Sequence, residues 1–169
     1  MTTTTPNRTT TTAEQIADRL QRTITGPMWH GPAINDLLLD VGPREAARRP
    51  IARAHSIWEI VLHLTTWAEI AIERVRGRGL EDPPSARDWP SLPVGRDSTA
   101  WAQAQSQLAD TYGRLAAAAR VLDEEALQRV VPKRGYTVYT LLNGVVEHGT
   151  YHAGQIALLK RALESSSPA

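Results

Sequence analysis

In the last third of the chain, apolar residues have the spacing of an α-helix with one apolar face. Large apolar side chains and two histidines recur there at steps of three or four residues: Leu141, Val145, His148, His152, Ile156, Leu159 and Leu163. Such steps place side chains on one face of an α-helix. The sequence therefore predicts a helix from near Thr137 to about Leu163, with this face turned toward a core.

Three further segments share this periodicity, whereas strand signals are weak throughout. Together they predict an all-α fold, a four-helix bundle in which long helices pack through apolar faces. Residues 80–97 contain Pro83, Pro84, Pro90 and Pro93, and they are interpreted as a long crossover loop. The three other long helices are expected over residues 12–25, 56–76 and 98–121.

Capping signals define where two of these helices begin. Thr12 and Gln15 have the spacing of a capping box at the start of the first helix. Ser56 and Glu59 have the same spacing at the start of the second helix. Gly26, followed by proline, is expected to end the first helix.

Length and composition limit the domain organisation and the classes of function. A chain of 169 residues favours one domain, expected over residues 12–164, with disordered tails at 1–11 and 165–169. The first tail lacks the charged and apolar regions of a secretory signal. The formal net charge of +1 gives no reason to expect nucleic-acid or membrane binding.

The absence of cysteine excludes disulfides, thiolate ligands and a cysteine nucleophile, and it is compatible with a cytoplasmic location. No run of about 18 apolar residues predicts a membrane-spanning helix.

The histidines are the strongest candidates for chemistry. His148 and His152 lie one turn apart on the apolar face of the last helix, and His63 lies mid-helix among apolar residues. Three histidines from two helices can hold one divalent metal ion and leave a coordination position open. The alternative is that the rings are buried without metal and satisfied by hydrogen bonds. His30 and His55 are interpreted as turn residues, although either could line a pocket mouth.

Further candidates surround these histidines. Glu59, Tyr151 and Gln155 could orient a ligand or contact substrate, although helix surface or capping explains each equally well, and for Glu59 the cap is favoured. Gly144, Gly149 and Gly154 fall inside the last helix, where glycine is unfavourable. Close helix packing or the approach of a ligand would account for them.

Two segments resemble the DinB/YfiT superfamily of damage-inducible and thiol-transferase-like bacterial proteins. They are residues 58–64, which include His63, and residues 147–156, within which Tyr151-His152-Ala153-Gly154-Gln155 is the most specific part. The resemblance extends from about Ala13 to Leu163. It implies an up-down-down-up bundle in which His63, His148 and His152 bind one metal ion, with nickel, zinc and iron all known in the family. It also implies a homodimer.

The resemblance implies a range of activities without selecting one. Family members transfer low-molecular-weight thiols such as bacillithiol, catalyse mycothiol-dependent isomerisation, or supply part of the metal site of sulfoxide synthases. We therefore expect a metal-dependent enzyme, a thiol S-transferase or a hydrolase, that activates a small-molecule thiol or water. The alternative is a non-catalytic, metal-containing stress-response protein that binds a ligand or a partner helix.

Overall fold

The computed structural model describes residues 10–79 and 81–165. This part of the chain contains eight helices and no strand, which confirms the all-α prediction. The helices are α1 (Thr12–Thr25), α2 (Ile34–Leu38), α3 (Pro43–Ala46), α4 (Ile57–Val75), α5 (Ser85–Asp88), α6 (Ser98–Arg120), α7 (Glu124–Gln128) and α8 (Val138–Ser165). Residues 1–9 and 166–169, which hold most of the two predicted tails, lie outside the described residues.

The four long helices α1, α4, α6 and α8 form a bundle. Helix α1 packs against α6 and α8, and α4 packs against the same two helices. The helices therefore follow one another around the bundle as α1, α6, α4 and α8. Each of the four has a buried apolar face, and these faces form one continuous core.

Contacts near the helix ends give the helix directions. Trp58 and Trp101, near the starts of α4 and α6, lie with ring centroids 5.0 Å apart, so these two helices run parallel. Near the end of α4, Arg74 donates a 2.9 Å hydrogen bond to the Tyr136 hydroxyl just before α8, so α4 and α8 run antiparallel.

Helix α1 runs in the same direction as α8. Arg19 Nη1 donates to Asn143 Oδ1 at 2.6 Å, and Thr23, one turn further along α1, packs against Gly149 further along α8. The four long helices therefore have the up-down-down-up arrangement that the resemblance implies.

Helix α1 begins at Thr12 as predicted, but its capping box lies one residue earlier than predicted. Thr11, not Thr12, is the N-cap, and its hydroxyl accepts a 3.2 Å hydrogen bond from the Glu14 N–H. The Glu14 carboxylate in turn accepts the Thr11 N–H at 2.9 Å. Consecutive threonines make the spacing ambiguous, and the ionised carboxylate is the stronger acceptor. The predicted Ser56–Glu59 capping box is present.

The predicted crossover loop contains a short helix. Helix α5 occupies Ser85–Asp88 and is followed by Trp89, which packs against the core. One turn of helix is too short to show an apolar period, so helical periodicity does not predict it. Leu80, the first residue of the predicted loop, lies outside the described residues.

Within the described ranges, no helix is both long enough and apolar enough to cross a membrane.

Candidate metal centre

Helices α4 and α8 bring His63, His148 and His152 together. The Nε2 atom of His148 lies 3.0 Å from His63 Nε2 and 3.0 Å from His152 Nε2. His63 and His152 are 5% and 4% exposed, and His148 is half-buried. In the described part of the chain, these three residues form the group that could hold a metal ion.

Local sequence explains this convergence. His148 and His152 follow Val145 at steps of three and four, so they share the face of α8 that packs toward α4. His63 lies between the buried residues Ile60 and Ile70 of α4. Because α4 and α8 run antiparallel, their middle turns meet, and the three rings meet with them.

Asp88 fixes the orientation of the His63 ring. His63 Nδ1 lies 2.8 Å from the Asp88 main-chain oxygen, which can only accept, so Nδ1 carries the hydrogen. The Asp88 carboxylate lies 3.1 Å from the same nitrogen and accepts a 2.6 Å hydrogen bond from Trp67 Nε1. His63 Nε2 therefore presents its lone pair to the other two histidines.

Gln155 holds His152 in an equivalent way. His152 Nδ1 donates to Gln155 Oε1 at 2.7 Å, so His152 Nε2 also presents a lone pair. Partners of this kind, on the nitrogen away from a metal, fix the tautomer and the ring orientation in metal sites.

Burial keeps the three rings neutral. Loss of solvation is the largest of the causes that lower the pKa of His148 to about 3 and that of His152 to about 4, and neighbouring imidazoles contribute to both shifts. Burial also lowers the pKa of His63. The neutral imidazole is the form that binds a metal ion, so the group is ready for a cation near neutral pH.

Hydrogen bonds cannot satisfy both short contacts that His148 Nε2 makes with His63 and His152. His63 and His152 each direct a lone pair at His148 Nε2, which has at most one hydrogen to donate. At least one of the two lone pairs therefore has no hydrogen to accept across its 3.0 Å contact unless a cation lies between the nitrogens. Nitrogens bound tetrahedrally to one zinc ion would lie about 3.3 Å apart, close to the two observed distances of 3.0 Å from His148 Nε2. The donor set thus fits a divalent transition metal.

Trp89 and His55 stack beside the histidine group. Trp89 is not among the predicted site residues, and His55 is predicted to lie in a turn. The Trp89 indole stacks on His63 with centroids 3.9 Å apart, and His55 stacks on the other face of that indole at 3.5 Å. Trp89 follows a one-turn helix in a proline-rich segment, so no periodic pattern connects it with α4. His55 thus supports the site from outside, whereas His30 is exposed and does not join it.

The remaining candidates occupy different positions. Glu59 is engaged in the Ser56 capping box and in an ion pair with Arg49, and it does not join the histidine group. Tyr151 is 64% exposed, with its ring edge-on to His152. Of the three candidates, Gln155 is the one that hydrogen-bonds a histidine of the group.

A cavity of about 450 Å³ opens beside the histidines, between α4 and α8. His63, His148 and Asp88 lie at one end, and Arg74 and Tyr136 lie at the other. Its walls are mostly apolar, from Trp67, Ala71, Leu141, Gly144 and Val145, with Thr140 as a further polar residue. A mostly apolar cavity with a few convergent polar groups is typical of a small-molecule site.

Comparison with known proteins identifies a family. The family model described as the DinB superfamily matches residues 29–156, which include all three histidines. The match begins after α1 and ends within α8, so it is shorter than the resemblance drawn from the sequence. No curated protein and no solved structure shows a significant match to the chain.

Proposed function

The chain belongs to the DinB superfamily, and we propose that it is a metal-dependent enzyme whose ion is held by His63, His148 and His152. The observation that carries the proposal is the convergence of three neutral imidazoles whose Nε2 atoms face one another. Zinc, nickel and iron are the candidate ions, because imidazole nitrogen suits them and disfavours magnesium and calcium.

The proposed reaction is attack of a small nucleophile on the substrate. A thiol as nucleophile gives thiol S-transfer, and water as nucleophile gives hydrolysis. When bound, a divalent ion with an open position lowers the pKa of a thiol or water and so supplies a nucleophile near neutral pH. A thiol would come from a small-molecule cosubstrate, since the chain has no cysteine. The cavity beside His63 and His148 would bind the substrate and exclude water from its apolar walls.

The residues around the histidines have defined parts in this proposal. Asp88 and Gln155 hold the Nδ1 hydrogens of His63 and His152, which keeps both Nε2 lone pairs directed at the ion site. Trp89 prevents rotation of the His63 ring by stacking on its face. These contacts prepare the site before the ion arrives, so the free energy of binding is not spent on ordering the ligands.

Metal analysis of protein purified without an affinity tag tests the first part. We expect about one equivalent of a transition metal in the wild type and in His30→Ala, the exposed-histidine control, and none in His152→Ala. Metal at a hundredfold excess over its Kd should stabilise the fold by about 2.7 kcal/mol, which raises Tm by roughly 5–10 °C in a domain of this size. Wild-type protein that cannot be loaded would contradict the proposal.

Turnover separates an enzyme from a metal-containing binding protein. The loaded wild type is assayed with electrophiles plus bacterial thiols, and with esters and lactones. We expect turnover that His152→Ala abolishes and His30→Ala retains. Stoichiometric metal without turnover on any of these substrates would favour the non-catalytic alternative.

A further inference from the structure

The end of the cavity far from the histidines has the chemistry of a carboxylate site. Arg74 is 2% exposed, and its Nη1 donates to the Tyr136 hydroxyl at 2.9 Å. Because Tyr136 accepts from a cation, its own O–H hydrogen remains to be donated, and the guanidinium strengthens it as a donor. Thr140, which also lines the cavity, supplies a second hydroxyl.

The charges around this end favour an anion. Arg74 Nη2 donates to Asp82 at 2.8 Å, but Asp82 is shared with Arg134, which lies 3.0 Å from its other oxygen. Glu81 lies 3.8 Å from Arg134 and 3.7 Å from Lys133. Three cationic side chains therefore face two carboxylates. The local balance leaves positive charge behind the Tyr136 hydroxyl.

The middle of the cavity is apolar and is bounded by one indole. The Arg74 guanidinium carbon lies 5.7 Å from the Trp67 ring centroid, and the His148 ring lies 6.3 Å from that ring on a T-shaped contact. Trp67 thus spans the interval between the cationic end and the histidines. Ala71, Leu141 and Val145 complete the apolar wall.

We infer that this cavity selects substrates that have an apolar middle and a terminal carboxylate, bound by the Tyr136 and Thr140 hydroxyls in front of Arg74. The inference rests on the proposed function, because it directs the opposite, reacting end of the substrate to His63 and His148. It assigns Tyr136 and Thr140 as specificity-determining residues. The same carboxylate would fix the orientation in which the substrate enters.

A pair of probes of equal length tests the inference. Binding of 6-mercaptohexanoate and of hexanethiol to cobalt-loaded protein is measured by calorimetry, and the thiolate-to-cobalt absorption reports which end reaches the metal. We expect the carboxylate-bearing thiol to bind about tenfold more tightly, the effect of one hydrogen bond to a charged group. Tyr136→Phe should remove most of that preference, and Tyr139→Phe, an exposed neighbour outside the cavity, should retain it.

The outcomes separate this inference from the proposed function. Equal affinity of the wild type for the two thiols, or an unchanged preference in Tyr136→Phe and in Thr140→Val, would overturn the inference while leaving the metal site intact. A thiolate band that is absent although the carboxylate preference persists would contradict activation of a thiol at the metal and would support only the carboxylate-binding role of Tyr136 and Thr140. The Tyr136 and Thr140 variants leave the ion pair between buried Arg74 and Asp82 in place, so the test does not depend on an arginine variant that could fail to fold.

Discussion

A single hydrogen atom on each imidazole ring decides which nitrogen can bind a metal ion. In His63 that hydrogen points to Asp88, and in His152 it points to Gln155. Both acceptors lie on the side of the ring away from His148. The orientation of two ligands is therefore set by neighbours that would not touch the ion themselves.

Replacing Asp88 by asparagine tests the contribution of this negative charge. The main-chain oxygen still accepts from His63, but the carboxylate that favours a positively polarised ring is lost. We expect Asp88→Asn to weaken metal binding by about tenfold, measured by competition with a chelator. Asp97→Asn removes the same charge at the N-cap of α6, where asparagine caps equally well, and it should leave metal affinity unchanged. Equal effects of the two variants would contradict a specific role for Asp88.

Gly149 and Gly154 differ in surroundings although both lie inside α8. A Cβ on Gly149 would lie 2.5 Å from Thr23 Cγ2 and 3.1 Å from the Tyr112 hydroxyl, whereas a Cβ on Gly154 would meet nothing within 4 Å. Of the two explanations drawn from the sequence, close helix packing applies at Gly149. Gly144 has no such contact and lines the cavity instead.

Alanine substitutions at the two positions should change stability in opposite directions. We expect Gly149→Ala to lower the free energy of unfolding by about 1–3 kcal/mol through overpacking. Gly154→Ala should raise it by about 0.5–1 kcal/mol, because alanine is the better helix former. Urea denaturation measures both. Thr23→Ser removes the clashing methyl group and retains a hydroxyl, so it should partly restore Gly149→Ala, and an absence of restoration would show that the methyl contact is not the cause.

The start of α4 matters because this helix carries His63. Ser56 and Glu59 form the capping box, and Arg49 pairs with Glu59 from the preceding segment. Burial alone would raise the pKa of Glu59, but the hydrogen bonds from Arg49 and Ser56 outweigh it and lower the pKa to about 2. The folded state therefore favours the ionised form of the Glu59 carboxylate over the protonated form.

This preference predicts a pH-dependent contribution to stability. The folded pKa of about 2 lies below the ordinary value of 4.5, so the contribution is full above pH 4.5 and is lost as the pH falls toward 2. Glu59→Gln should lower the free energy of unfolding by about 1 kcal/mol at pH 7. Denaturation of both proteins from pH 7 to pH 3 should show the difference shrinking below pH 4.5. Glu164→Gln, exposed near the end of α8, is the control, and a difference that does not change with pH would contradict the assignment.

The long helices and the histidine group could be inferred from the sequence because both depend on helical periodicity. The steps around His148 and His152 place two rings on one face whatever the rest of the chain does. Asp88 and Trp89 could not be inferred, since they reach His63 from a segment whose path depends on tertiary packing. The cavity likewise depends on the distance between α4 and α8, which the spacing of residues along the chain does not determine.

We propose that the chain forms the homodimer that the DinB/YfiT resemblance implies. Tyr151 and Leu158 lie seven residues, or about two turns, apart on an exposed face of α8. They are 64% and 57% exposed, and a partner helix could cover both. This face is the region where we expect the implied homodimer to form.

Light scattering coupled to size-exclusion chromatography measures the mass directly. We expect twice the chain mass of 18.6 kDa for the wild type and a shift toward the single-chain mass for Leu158→Glu, which places a charge in the proposed interface. Lys160→Glu, two residues away on another face, should retain the dimer. A wild-type mass equal to one chain would contradict the homodimer.

The three histidines come from α4 and α8 alone, and His63 and His148 are separated by 85 positions along the chain. A bound ion would consequently act as a removable cross-link that closes a long loop, in the manner of a disulfide in a protein that has none. Chelation would then do more than stop chemistry. It would loosen the packing between α4 and α8 while leaving α1 packed on α6.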